Sequence, residues 1–192
     1  MQRLRLAALV AGLTTALTLS VSARGANERL RFTANAVSLG GPGSVSGTAQ
    51  LDIVIERFST EAERQRLLAA LKKNNQDELL RTLQDLKPVG TIRTPRSVGY
   101  DLHYAHQAPG EDGGQRIFIA TDRPIGFREA ANRPRTIDYP FTFIELRLNS
   151  NGEGEGKLSL ATRVTSSNDG KVVELENYAA QPVMLTNVKR QG

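Results

Sequence analysis

Outside the first 23 residues and residues 60–86, almost all of this chain alternates apolar and polar side chains with a period of two, and that alternation narrows the choice of fold more than any other feature. Neighbouring side chains on an extended strand point to opposite faces, so such a segment has one oily face and one wet face. Residues 29–37 and 46–58 read as the first strands, joined across the turn-forming Gly40-Gly41-Pro42-Gly43. In the second of them Leu51, Ile53 and Ile55 share a face, with Asp52 and Glu56 opposite; Val54 interrupts the alternation. Val98, Tyr100, Leu102 and Tyr104 form a further row. Ile117 and Ile119 form another, after a turn at Pro109 to Gly114. Ile144, Leu146 and Leu148 answer Leu158, Leu160, Thr162 and Val164 across a loop at Asn149 to Gly156. Asp169-Gly170 marks one more hairpin, and strands near 171–178 and 182–189 finish the chain.

Residues 60–86 carry a different period. Thr60 and Glu63 stand at the spacing of a capping box, ahead of an apolar stripe of Leu67, Leu68 and Leu71. Lys72-Lys73-Asn74-Asn75 breaks that helix. Asn75 can cap a second one, striped by Leu79, Leu80, Leu83 and Leu86 and stopped by Lys87-Pro88. The acidic first turns of both helices argue against a DNA-reading helix pair and for a cover on a sheet.

A one-sided sheet of about nine strands curls or splits in two. The chain contains no cysteine, so no disulfide can staple it. Wrapping the sheet on itself removes both exposed edges. The expected fold is therefore mainly β: an antiparallel β-barrel, or a two-sheet sandwich, with an α-hairpin inserted at about 60–86. In architecture the barrel resembles the lipocalins.

Arg3 and Arg5, an uncharged run from Leu6 to Leu19 and the small residues Val21-Ser22-Ala23 follow the order of a secretory signal peptide. A helix of that run rises only ~21 Å, short of the ~30 Å hydrocarbon core. Export with cleavage after Ala23 is expected, to the periplasm or beyond, leaving one β-rich domain at 24–192 with no transmembrane segment. Removing Arg3 and Arg5 leaves 23 basic against 20 acidic residues, a net charge of +3. These charges are interspersed, which excludes a nucleic-acid footprint.

Chemistry is sparse. His103 and His106 are three apart and should face opposite ways on a strand. Asp101 and His103 share a face that the pattern places in solvent. The Asn149–Gly154 segment departs from a calcium loop at its first and twelfth positions. No serine sits in a nucleophile elbow. No catalytic residue, metal ligand or cofactor is assigned. The segment from Thr121 to Pro140 exceeds an ordinary connection and gathers Arg123, Arg128, Arg133 and Arg135 with Phe127 and Tyr139. Arginines among aromatics suit an anionic group. Asp122, Arg123, Arg128 and Tyr139 are the candidate ligand-binding residues.

Ala120-Thr121-Asp122-Arg123-Pro124-Ile125-Gly126-Phe127, then Asp138-Tyr139-Pro140-Phe141-Thr142, then Gly152-Glu153-Gly154-Glu155-Gly156-Lys157-Leu158 resemble a family of small exported bacterial proteins of uncharacterised function. The resemblance spans about residues 50–190 and implies no activity. The expected function is non-enzymatic binding of a small, partly apolar ligand. Two alternatives are an enzyme at the barrel mouth, with Asp122, Arg123, Tyr139 and His103 acting on a small anionic substrate, and a structural or assembly partner in the cell envelope.

Overall fold

The alternating segments form antiparallel strands in a single nearly closed sheet. The computed structural model describes residues 29–39, 47–122, 140–166, 173–177 and 182–192. The expected leader, the Gly40–Gly43 turn, the Asp169-Gly170 turn and Arg123, Arg128 and Tyr139 lie outside them. The strands are β1 (Leu30–Ser38), β2 (Gly47–Ile55), β3 (Gly90–Arg93), β4 (Tyr100–Leu102), β5 (Tyr104–Pro109), β6 (Gln115–Thr121), β7 (Phe141–Leu148), β8 (Glu153–Ser166), β9 (Val173–Asn177) and β10 (Val183–Gln191). Between β2 and β3 stand α1 (Glu61–Lys72) and α2 (Gln76–Gln84). The sheet runs β4-β3-β2-β1-β10-β8-β7-β6-β5, with β9 paired to the later half of β8.

The two ends of that path, β4 and β5, are separated in the chain by His103 alone. Leu102 accepts a hydrogen bond from the Val89 N–H at 2.7 Å, on the β3 side. His103 donates its backbone N–H to Ala120 of β6 at 3.1 Å. One strand thus borders β3 with its first part and β6 with its second, and the sheet nearly closes into a barrel. The change of partner costs a break in alternation at His103. Leu102 and Ala105, three apart, both lie in the inner core, while Tyr104 packs in the outer cluster. The single Tyr100–Leu102–Tyr104 row expected from the sequence is therefore divided, and Val98 stands exposed before the strand begins.

The barrel interior is solid along its described length. Phe32 and Ile53 are opposite one another on β1 and β2 and, like Ile55, Ile117 and Leu146, are fully buried at 0 % exposure. A void that admits water leaves accessible area on the side chains around it, and these retain none. The helical pair builds a second core on the outer wall, not over a barrel mouth. Leu71, Leu79, Leu83 and Leu86 pack there on Ala120, Phe141 and Val164. Val164 reaches that face because the β7–β8 register slips between Phe143↔Ser159 and Phe141↔Thr162. Gln76, at the start of α2, pairs its side-chain amide with both the N–H and the carbonyl of Val164, as a strand neighbour would. Thr60 and Asn75 cap the two helices as the sequence predicts.

The loop expected at 149–156 is a tight turn followed directly by β8. Asn149 Oδ1 accepts from the N–H groups of Asn151 (2.9 Å) and Glu153 (3.1 Å), and Gly152 takes φ +78°. Gly154 already belongs to the strand, where a Cβ would overlap the Arg147 carbonyl. Gly156 is likewise held there by strand packing, since a Cβ would overlap the Glu145 carbonyl.

Tight turns at 110–114 and 149–152 close one barrel end. The antiparallel register brings the strand ends that flank 39–46, 94–99, 122–140, 167–172 and 178–182 to the opposite end.

Candidate functional site

The departure from regular pairing at His103 decides what can happen chemically at this seam. Without the break, His103 and His106 would face opposite ways; with it, both lie on the outer side. His106 stacks on Tyr104 with ring centroids 6.4 Å apart. Burial pushes its imidazole below the ordinary value, helped by the Arg64 charge and opposed by Glu61. His103 turns instead toward the end of α2. Its Nδ1 lies 3.1 Å from the Leu86 carbonyl, and its Nε2 lies 3.7 Å from Asp122 Oδ1. The solvated environment expected for His103 is not found: its side chain is 14 % exposed and that of Asp122 is 11 % exposed.

Asp122 follows the last residue of β6 and is held on its other oxygen. Gln84 of α2 donates its Nε2 to Asp122 Oδ2 at 2.9 Å. Asp122 Oδ1 is buried and has no hydrogen-bond partner among the described residues. A carbonyl accepts and never donates, so the ring hydrogen near Leu86 sits on Nδ1. Nε2 faces the Asp122 carboxylate at the distance of a loose ion pair. His103, Asp122, Gln84 and the Leu86 carbonyl form a partly exposed polar cluster beside the end of α2, made by residues distant in sequence. Asp101, the partner expected for His103, stands exposed and uses its carbonyl to accept from Thr121 Oγ1 at 2.8 Å.

A second polar feature lies on the inner face at the same strand ends. Thr121 and Thr142 are cross-strand neighbours, and both are fully buried at 0 % exposure. Thr142 Oγ1 has no hydrogen-bond partner among the described residues. No sequence pattern singled Thr142 out, because a threonine in an alternating strand is unremarkable until its surroundings are known.

Of the four ligand-binding candidates, Asp122 joins this region, with its carboxylate on the outer side. The outer wall elsewhere is tied by ion pairs. Glu145 accepts from Arg116 (2.6 Å) and Arg147 (2.9 Å), and Asp52 lies between Arg31 and Arg93. Burial raises the Glu145 carboxyl, but the hydrogen bonds from the two arginines outweigh it and the net direction is down. Among the described residues no group of three or more His, Cys, Asp or Glu is placed to hold a metal. No helix among them is long and apolar enough to cross a membrane.

No protein-family model matches the chain, and no curated protein or solved structure matches it either.

Proposed function

We propose that this protein is a non-enzymatic, exported β-barrel that binds a small, partly apolar ligand at the barrel end opposite the tight turns at 110–114 and 149–152. The solid core argues against a cargo held in the middle of the barrel. The observation that carries the reading is the Thr142 hydroxyl, buried on the inner face at that end and unpartnered among the described residues. An unmade hydrogen bond of this kind costs about 1–3 kcal/mol. Thr142 has no accessible surface, so a ligand with one polar group at its tip would offset that cost by displacing the groups that cover it. The large hydrophobic side chains left exposed among the described residues are Leu39, Val98 and Leu175; the first two adjoin strand ends at this end, and Leu175, opposite Val164, lies on the outer face. Export, and kinship with small exported bacterial proteins, enter from residues 1–23 and the three strings quoted above.

The enzymatic alternative has less support. His103 is turned toward Asp122 and the Leu86 carbonyl, and the two side chains keep only 14 % and 11 % exposure, so the ring is not presented to a substrate. The envelope-partner alternative draws on Leu39, Val98 and Leu175, which a protein partner would equally cover.

Thr142→Val removes the unsatisfied hydroxyl and keeps the shape. It should raise the unfolding free energy by about 1–2 kcal/mol, read by urea denaturation, while lowering ligand recovery. Solvent extraction of protein purified from its native source, followed by mass spectrometry, measures that recovery. A destabilised Thr142→Val variant, or extracts without any small molecule from the parent protein, would overturn the reading.

A further inference from the structure

Two acceptors of the protein flank the His103 ring, one at each nitrogen. The Leu86 carbonyl lies 3.1 Å from Nδ1, and the Asp122 carboxylate lies 3.7 Å from Nε2. A neutral imidazole has one N–H for these two acceptors, whichever nitrogen carries it, and an imidazolium has two. We propose that His103 is an acid-operated clasp: protonation gives its ring a second N–H, which closes on Asp122 and fastens the end of α2 to the end of β6. Asp122 Oδ1 can receive that donor, being buried and without a hydrogen-bond partner among the described residues. A charge-assisted hydrogen bond closes to about 2.7–2.9 Å. Both side chains are largely buried, so salt screens the pair little.

The clasp joins the places where the helical insertion meets the seam of the barrel. Leu86 follows α2, Asp122 follows β6, and His103 is the residue at which the strand changes partners. Gln84 reaches from α2 to Asp122 Oδ2 at 2.9 Å and so holds the carboxylate in front of the ring. A positive ring also stands at the C-terminal end of α2, where the helix carries negative partial charge. Among the described residues Asp122 is the charged group in ion-pair contact with His103. Asp85 and Lys87, on either side of Leu86, and Asp101 on the strand before the ring are exposed. The stabilisation is present in acid and is lost as the pH rises through about 5 to 8, where imidazoles change charge. His106 responds in the opposite sense. Burial is the main cause that lowers its ring, so the folded chain takes up that proton less readily and His106 costs stability as the pH falls. The Glu63 carboxyl, lowered from 4.5 to about 2, stays ionised across that range. The clasp is independent of any ligand at Thr142.

The test is amide hydrogen exchange of the purified protein carrying His106→Gln, followed by NMR at pH 5 and pH 8. Protection factors correct for the intrinsic effect of pH on exchange. The amides of α2 should be protected about tenfold or more at pH 5 relative to pH 8, the size expected of one hydrogen bond between charged groups. His103→Gln and Asp122→Asn, each in the same background, should abolish that difference. Gln84→Leu should lower protection at both pH values and keep a rise in acid. A second readout needs no variant: the His103 ring of the parent protein should show two slowly exchanging N–H signals at pH 5 and one at pH 8. The proposal is overturned by any of three results: α2 protection that is equal or lower at pH 5, a rise in acid that survives Asp122→Asn, or a single His103 ring N–H signal at pH 5.

Discussion

Phe32→Ala is expected to lower the unfolding free energy by about 3–5 kcal/mol, the largest effect of any single truncation considered. Phe32 is fully buried opposite Ile53, in a nearly closed sheet whose fully buried inner side chains leave no accessible space around it. The walls are hydrogen-bonded strands and cannot collapse inward to fill the gap. The same variant tests whether the barrel carries cargo at its centre. An apolar cavity of this kind stays dry and takes up benzene or xenon. Denaturation in urea gives the stability. NMR of the methyl signals under xenon pressure gives the occupancy. The variant should show uptake and the parent none. Uptake by the parent would mean that the centre is hollow and would return the ligand to the barrel interior.

The second large effect is electrostatic and depends on pH. Arg57 donates two hydrogen bonds to Glu63, at 2.8 and 2.9 Å, and the Thr60 backbone N–H adds a third at 2.7 Å. The Arg57 hydrogen bonds are the main cause that lowers the Glu63 carboxyl from 4.5 to about 2, against a smaller opposing effect of burial. Arg57 also donates to the Lys87 carbonyl at 3.1 Å, so the same guanidinium ties the entry of the helical insertion to its exit. Between pH 2 and 4.5 the unfolded chain holds more protons on this group than the folded one does. Stability therefore rises with pH through that window, is fully present above it and is lost as the pH falls toward 2. The contribution is about 2–3 kcal/mol, the pair being three-quarters or more buried. Glu63→Gln should lose most of that at neutral pH and flatten the acid limb of a plot of stability against pH. An unchanged acid limb would show that the pair contributes little.

Much of the architecture could be read from periodicity because burial on one face leaves a trace in every second residue. Leu51, Ile53 and Ile55 line the barrel interior as their spacing requires, and Thr60, Glu63 and Asn75 cap the helices where their types demand. The reading failed where pairing is irregular. A row through Leu102 and Tyr104 assumes a continuous strand, but the chain exchanges one neighbour for another at His103. Val164 was assigned to the inner row with Leu158, and a slip in register carries it outside. The candidate sites fared worse for the same reason. His103 and Asp122 were each noticed, but their facing each other depends on where β4, β6 and α2 meet. Thr142 had no signal at all.

Local physics within the sequence determined the strands, the helical insertion, the caps and the need to hide one oily face, since each follows from the period of apolar residues or from a side chain's reach of three or four positions. Tertiary structure alone decided that the sheet nearly closes through a single partner-switching strand, that the helices cover the outer wall, that His103 meets Asp122 at its seam and that an unsatisfied hydroxyl lies buried at its end. Those outcomes depend on contacts between residues tens of positions apart, and one extra residue in a strand is enough to change which face a side chain meets.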